Sequence, residues 1–269
     1  MSKRPAAPLP DDPVALHAPR LFRAFGWYLR WFFWRNFHAV RIAAADPPAV
    51  PADRPLIIYS NHPSWWDPAL FMLLANTILA ARTSFGPMEA EALGRYKLFR
   101  RFGVYGIDTA TRRGAARFMA VTQRILSQPG TAVWVTSEGH FTDPRVRPVR
   151  LRPGLAHLAR RLPDAVILPL ALEYPFWNER KPEVLLRFGD AVEAAGAAGI
   201  DAWNALLEQR LTETMDALAR DAMTRDPARF RRLLRGRSGV GGIYDVWRRL
   251  TAFAGLRRPQ LAHEPQREA

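Results

Sequence analysis

Cysteine is absent from this chain of 269 residues. The protein therefore has no disulfide bond, thiolate nucleophile or cysteine-ligated metal site, a composition that fits a reducing compartment. Lysine is scarce as well: only Lys3, Lys97 and Lys181 occur among 39 basic residues, so arginine carries nearly all of the positive charge. Acidic residues number 25, which leaves a formal net charge of +14. Such a surface attracts polyanions, including lipid headgroups, nucleic acids and acidic carrier proteins.

Long apolar segments are missing too. No uninterrupted apolar run reaches the length of about 18 residues that a membrane-spanning helix needs, so the sequence predicts none. Residues 1–20 contain five prolines and no apolar core, which predicts a flexible leader rather than a signal peptide. Hydrophobic residues nevertheless make up 48% of the chain, enough for a sizeable core.

Residues 21–42 are rich in aromatic side chains. Nine aromatic residues fall between Phe22 and Phe37, four arginines interrupt the segment, and it contains no acidic residue. Tryptophan and tyrosine favour the membrane interface, so the pattern predicts an amphipathic helix lying on a membrane surface. A core helix with one aromatic face is the alternative. Residues 43–54 are rich in proline and predict a linker, so we expect the main domain to fold without residues 1–42.

Between residues 55 and 225, short apolar runs alternate with longer helical patterns. This alternation predicts an α/β domain with a mostly parallel sheet and flanking helices. The predicted strands are 55–60, 82–88, 103–108, 131–136, 165–174 and 183–189, and the predicted helices are 68–81, 89–100, 113–127, 153–161 and 200–223. Residues 226–269 form a basic tail, either a second membrane-facing element or a solvated helix packed on the domain.

The stretch "NHPSWWDP" follows the first predicted strand of this domain. It places His62 five residues before Asp67, a separation that requires a turn because neighbours on one helical face are three or four residues apart. A histidine with a carboxylate partner is the arrangement of a general base. Pro68 suits the first position of a helix, so Asp67 could instead be a helix N-cap, and one carboxylate could fill both roles.

Three further stretches contain predicted strands: two of them end in polar turns, and the third has a proline within the strand. "GVYGID" ends at Asp108, with Arg112 and Arg113 just beyond. "SEGH" contains Glu138, Gly139 and His140, and "ILPLAL" places a proline inside an apolar strand. Because the carboxyl ends of parallel strands meet at one edge of a sheet, we expect the ends of all four stretches to lie at that edge.

These four blocks, in this order, resemble the glycerolipid acyltransferase family, whose best-known members are lysophosphatidic acid acyltransferases. "NHPSWWD" matches the family's Asn-His-x4-Asp block, and "SEGH" is similar to its Pro-Glu-Gly-Thr block. "GVYGID" and "ILPLAL" resemble its Gly-x-x-x-Ile-Asp and apolar-proline blocks more loosely. The likeness covers roughly residues 55–190.

The resemblance implies acyl transfer without a covalent enzyme intermediate. His62 would be the general base and Asp67 its orienting acid. The substrate-binding residues it implies are Asn61, Asp108, Arg112, Arg113, Glu138, Gly139 and His140. It further implies no cofactor or metal, an acyl-CoA or acyl carrier protein donor, and a lipid acceptor. We expect a peripheral protein on an anionic membrane surface, at its cytoplasmic face.

The sequence departs from the family where the family carries arginine. Thr109 follows the Ile-Asp turn, and His140 and Phe141 follow Glu-Gly. These arginines resemble a phosphate clamp, so their displacement predicts an acceptor other than plain lysophosphatidic acid. Alternatively, Arg112, Arg113 or Arg145 folds back to restore the clamp.

Other classes of function fit less well. A non-catalytic lipid-binding or tethering protein with the same fold is the main alternative, but it has no reason to retain a base, its acid and the Glu-Gly turn together. No nucleic-acid partner is expected, because the chain matches no helix-turn-helix, zinc-finger or RNA-binding signature. The scattered histidines and carboxylates fit no metal-ligand spacing.

Overall fold

The computed structural model describes residues 11–43, 49–192 and 199–237. Its strands are β1 (Ala39–Ala43), β2 (Leu56–Ser60), β3 (Thr83–Glu89), β4 (Val104–Ile107), β5 (Thr131–Thr136), β6 (Val166–Glu173), β7 (Glu183–Phe188) and β8 (Phe230–Arg235). Its α-helices are α1 (Pro13–Leu16), α2 (Pro19–Asn36), α3 (Asp67–Ala75), α4 (Ala90–Arg95), α5 (Arg112–Leu126), α6 (Gly154–Arg161) and α7 (Ile200–Met223). Two 3-10 helices span Lys97–Phe102 and Pro227–Arg229.

The strands form one sheet in the order β4-β3-β5-β2-β6-β7-β1-β8. The first five in this order run parallel, β7 is antiparallel to β6, β1 is parallel to β7, and β8 is antiparallel to β1. The prediction of an α/β fold with a mostly parallel sheet and flanking helices is confirmed. Each strand predicted between residues 55 and 189 is present.

Two helical layers cover the sheet. Helices α5, α6 and α7 pack on one face, and α2 and α3 pack on the other. The central strands are buried on both sides, which is why "LIIYS" and "TAVWV" are almost wholly apolar. The hydroxyl of Tyr59 in β2 donates to the carbonyl oxygen of Leu207 in α7 at 3.0 Å, so this buried polar group is satisfied.

Helix α2 is shorter than the predicted 21–42 helix. It ends at Asn36, and its inner stripe, which includes Leu29 and Phe33, is buried against the sheet and α3. Gly26 permits this close approach, because a Cβ there would stand 2.8 Å from the side chain of Asn76. The core-helix alternative therefore describes the inner face of α2.

The outer face of α2 stays exposed. It carries three tryptophans and a tyrosine: Trp27, Tyr28, Trp31 and Trp34. No helix in the described part of the chain is both long enough and apolar enough to cross a bilayer.

Strand β1 corrects the prediction that residues 39–42 continue the helix. These residues are fully buried between β7 and β8, and Arg41 Nε lies 3.0 Å from Glu183 Oε2. The expectation that residues 1–42 are separable from the main domain is therefore wrong, because β1 is an inner strand of its sheet.

Two other segments also differ from their predictions. Within the leader, α1 packs against α5, and Asp12 caps it through Val14 N at 3.1 Å while pairing with Arg124 at 2.7 Å. Within the basic tail, residues 230–235 form the edge strand β8 rather than a helix. The remainder of these predictions, and part of the predicted linker, concerns residues 1–10, 44–48 and 238–269, which lie outside the described residues.

Candidate active site

His62 and Asp67 form a close pair at the carboxyl end of β2. His62 Nδ1 lies 2.6 Å from Asp67 Oδ2, and the intervening turn adds a hydrogen bond from Ser64 N to the same oxygen at 3.2 Å. Asp67 is fully buried, whereas His62 is 15% exposed. An ionised carboxylate can only accept, so it selects the tautomer with the proton on Nδ1 and leaves Nε2 as an acceptor.

Asp67 is not a helix N-cap. Helix α3 begins at Asp67 itself, Trp66 occupies the cap position, and no side chain caps the helix. The second carboxylate oxygen accepts a hydrogen bond from the hydroxyl of Tyr174 at 2.6 Å. Burial and the neighbouring Asp67 raise the pKa of Tyr174 well above its ordinary range, so this phenol remains a donor at neutral pH.

Glu138 holds the backbone of the turn that carries His62. Its Oε2 accepts a hydrogen bond from His62 N at 2.7 Å. Burial raises the pKa of Glu138, although the hydrogen bond from His62 N opposes that shift. The next residue, Gly139, has φ of +73°, and a Cβ there would meet Arg152 Nε at 2.2 Å. The left-handed backbone conformation therefore favours glycine at this position, and any larger residue would also displace the Arg152 side chain.

Asn61 lies beneath the site rather than in it. It is 1% exposed, and its side-chain amide makes two hydrogen bonds to the backbone of Leu172, at 3.0 Å and 2.9 Å. The prediction that Asn61 binds substrate is therefore not supported by its position. Its side chain instead fixes the end of β2 against β6.

A cavity of about 840 Å³ opens beside His62 and runs between the ends of β3, β4 and β5. Its lining is mainly apolar and comprises Phe22, Phe71, Met72, Phe85, Phe102, Phe118, Trp134, Val135 and Leu155 among others. The apolar walls suit a hydrocarbon chain, and His62 lies among the few polar groups that face it.

Comparison with known proteins supports the resemblance to acyltransferases that the sequence motifs indicated. Residues 41–173 match the family described as Acyltransferase. This chain carries an acyltransferase-family domain. The match begins inside β1, in agreement with the place of that strand in the sheet.

A solved structure shares the fold. The 1-acyl-sn-glycerophosphate (LPA) acyltransferase PlsC from Thermotoga maritima superposes with a TM-score of 0.54 and 16% sequence identity, over 75% of this chain and 79% of that one. None of the curated proteins matches the sequence. The resemblance to the glycerolipid acyltransferase family is confirmed.

The polar mouth of the acyltransferase cavity contains Asp108, Thr109, His140 and Arg152. Asp108 caps the turn before α5, where it accepts from Ala110 N at 3.0 Å and from the hydroxyl of Thr111 at 2.8 Å. The Thr111 hydrogen bond is the main reason that the pKa of Asp108 is lowered. The structure thus brings Asp108 and His140 to one cavity with His62.

The predicted arginines lie elsewhere. Arg112 is exposed at the first position of α5, and Arg113 lines a separate pocket on the far side of β4. Arg145 pairs with Asp143 at 2.7 Å on the surface. Of the arginines in the described residues, only Arg152 lines the acyltransferase cavity.

Sequence reasoning missed Arg152 and Tyr174. Arg152 Nη1 donates to the carbonyl oxygen of Thr109 at 3.3 Å, and its backbone N donates to Ser137 O at 2.9 Å. Both residues do carry a signal in the sequence. Tyr174 directly follows the apolar strand β6, and Arg152 lies two residues before α6, so both positions lie at the edge where the site forms.

Two exposed aromatic residues flank the site. The ring of Phe141 lies 4.4 Å from that of His62 and is 59% exposed. Trp65 is 71% exposed and packs against Trp66, which in turn contacts Phe32 of α2. The site is therefore continuous with the aromatic face of α2.

Proposed function

We propose that this acyltransferase moves a fatty acyl group from an acyl thioester to a hydroxyl of a lipid acceptor, with His62 as general base. The observation that carries the proposal is the 2.6 Å pair of His62 with buried Asp67, placed at the mouth of an 840 Å³ apolar cavity. The cavity suits the acyl chain, and the dyad suits the activation of a hydroxyl.

The transfer needs no further reactant. His62 Nε2 accepts the proton of the acceptor hydroxyl while the oxygen attacks the thioester carbonyl carbon. The new ester C–O bond forms and the C–S bond breaks, and the imidazolium returns its proton to the departing thiolate. Asp67 stabilises the imidazolium in between, and Tyr174 keeps that carboxylate in place at 2.6 Å.

The acceptor, in this proposal, carries hydroxyls rather than a phosphate monoester. A doubly charged phosphate prefers several arginine forks. In the described part of the cavity, Arg152 shares the lining with two carboxylates, Asp108 and Glu89, and with neutral hydrogen-bonding groups. A sugar-bearing or polyol lipid matches this mixture of donors and acceptors better.

The aromatic face of α2 supports action at a membrane surface. Trp27 is 80% exposed, and the face connects to the turn that carries His62 through ring contacts of Tyr28 with Phe32 and of Phe32 with Trp66. Exposed tryptophans of this density favour the interfacial region of a bilayer. A peripheral orientation with this face on the lipid brings the cavity mouth to its acceptor.

Thioester-release kinetics with the purified protein test the mechanism. His62→Ala should lower turnover about 10²- to 10⁴-fold, the usual contribution of a general base. The melting temperature of the variant should stay near that of the wild type. Near-normal turnover in the variant would refute the mechanism. Acyl-lipid binding without any turnover in the wild type would favour the non-catalytic alternative.

A panel of acceptors with one acyl donor tests the acceptor class. Glycolipids and polyol lipids should be acylated faster than lysophosphatidic acid. Saturable acylation of lysophosphatidic acid that is lost in Arg152→Ala would show instead that one arginine is enough to hold the phosphate.

A further inference from the structure

A second pocket lies against the outer side of β4, the edge strand of the sheet. It has a volume of about 240 Å³ and is lined by three arginines: Arg100, Arg113 and Arg117. They come from the 3-10 helix before β4 and from the first turns of α5. The mechanism above uses none of them.

The charges in this pocket are only partly balanced within the protein. Arg100 Nη1 lies 3.2 Å from Asp11, in an exposed ion pair. Arg100 Nε is buried and has no hydrogen-bond partner in the described part of the chain. Arg117 Nε donates to a neutral group, the carbonyl oxygen of Gly106, at 3.3 Å. Unused donor capacity of this kind suits an anion.

The start of α5 adds to the positive potential. Its first turn contains Arg112 and Arg113 and no acidic residue. The amino end of a helix carries a partial positive charge, so arginines at this position are unfavourable for the folded protein alone. An anion bound beside them would remove that cost and would also contact a helix terminus.

The pocket adjoins the catalytic cavity. Val104, Asp108 and Gly114 line both spaces, so only the end of β4 and the start of α5 separate them. A thioester whose carbonyl lies at His62 and whose acyl chain fills the apolar cavity must extend its thiol half out of the mouth. The arginine pocket lies on one side of that mouth, at Asp108.

We propose that this pocket binds the phosphate ester on the pantetheine arm of the acyl donor. The assignment rests on the proposed function above. Coenzyme A and acyl carrier protein both attach their thiol to a pantetheine that bears a phosphate, and arginine forks bind phosphate oxygens in pairs. The arginines then anchor the donor, while the acceptor meets Arg152 and the polar mouth.

Donor kinetics in the double variant Arg113→Gln/Arg117→Gln test the assignment. The donors are acyl-CoA, acyl carrier protein and acyl-pantetheine, which lacks the phosphate. KM should rise about tenfold or more for the first two donors, since hydrogen bonds to charged groups are lost, and should not change for acyl-pantetheine. Arg113→Lys/Arg117→Lys should recover part of the loss. A larger effect with one phosphate-bearing donor identifies which of the two the enzyme uses.

Arg160→Gln/Arg161→Gln is the matched control. It removes two exposed arginines from the end of α6 that leads into β6, at the edge of the sheet away from the site. It should leave every KM unchanged. Equal KM increases for all three donors in the pocket variant would overturn the assignment. So would an increase confined to the KM of a phosphorylated acceptor.

Direct binding separates this inference from the proposed function. Calorimetric titration of the wild type with pantetheine 4'-phosphate and with pantetheine requires no turnover. Tighter binding of the phosphorylated compound, abolished in the Gln double variant, supports the site even if no acceptor is acylated. Equal binding of both compounds overturns the site even if the transferase is active.

Discussion

Asp67 accepts three hydrogen bonds, which together fix the orientation of the His62 imidazole. His62 and the backbone N of Ser64 share one oxygen, and Tyr174 occupies the other. Because the carboxylate accepts all three, it holds the imidazole with the proton on Nδ1 and cannot rotate freely.

Asp67→Asn tests this arrangement. The amide can present its NH₂ to Nδ1 and impose the wrong tautomer, and it cannot stabilise the imidazolium. We expect turnover to fall about 10²- to 10⁴-fold with little change in donor KM. Steady-state kinetics with separate KM values provide the measurement. A variant that lost binding but kept its turnover number would contradict the orienting role.

The pH dependence of stability tests the effect of burying Glu138. Burial raises its pKa, so the folded protein binds this proton more readily than the unfolded chain does. Its contribution to stability is fully present below the unfolded pKa of about 4.3 and is lost as pH rises through the folded pKa. Glu138→Gln keeps an acceptor for His62 N without the charge. The melting temperature of the variant relative to the wild type should therefore rise between about pH 4 and about pH 7.

The matched control for that experiment is Glu91→Gln. Glu91 is 80% exposed and pairs only with Arg95 on the surface of α4. Its substitution should give a difference in melting temperature that is nearly constant over the same pH range. A parallel response of the two variants would show that burial of Glu138 does not govern the effect.

The pair of His62 and Asp67 could be predicted from the sequence, but its surroundings could not. His62 and Asp67 could be predicted because both lie in one short turn after an apolar strand. Tyr174 follows Asp67 by 107 residues and reaches it only because β6 pairs with β2. Arg152 likewise reaches Thr109 across 43 residues. Contacts of this kind depend on strand order, which local patterns do not encode.

At the scale of elements, β1 and β8 could not be predicted from local sequence patterns. The aromatic segment runs without a break into Ala39, so nothing local marks the end of α2. Strand β8, "FRRLLR", is rich in arginine because it lies at the sheet edge, where exposed charges are tolerated and discourage further pairing. Both strands depend on partners that are distant in the sequence.

The buried pair of Arg41 and Glu183 joins β1 to β7. The two side chains are 3% and 1% exposed. Glu183→Ala should destabilise the protein by about 3–5 kcal/mol, since it removes a buried carboxylate that pairs with the Arg41 guanidinium. The double variant Arg41→Met/Glu183→Leu should be closer to the wild type. Urea unfolding of all three proteins measures the difference, and a double variant less stable than Glu183→Ala would contradict this account.

At the scale of the whole molecule, the described part of the chain presents an exposed aromatic face on α2. Trp27→Ala and Trp31→Ala should each reduce partitioning onto anionic vesicles about tenfold, the effect of returning part of a large ring to water. Vesicle sedimentation measures it. Met223→Ser is the control: this residue is 73% exposed at the end of α7, in the layer on the opposite face of the sheet. Equal losses for all three variants would contradict a specific membrane face.

Helix α2 has two apolar surfaces with different neighbours. Phe22 on its inner side lines the cavity beside His62, and Trp27 on its outer side is exposed. With the outer side on a bilayer, a single helix thickness would separate the lipid phase from the cavity, so the acceptor would reach the enzyme from within the membrane surface. The relevant substrate concentration is then the mole fraction of acceptor within the surface. Dilution of the acceptor with inert lipid at constant bulk concentration should slow the enzyme.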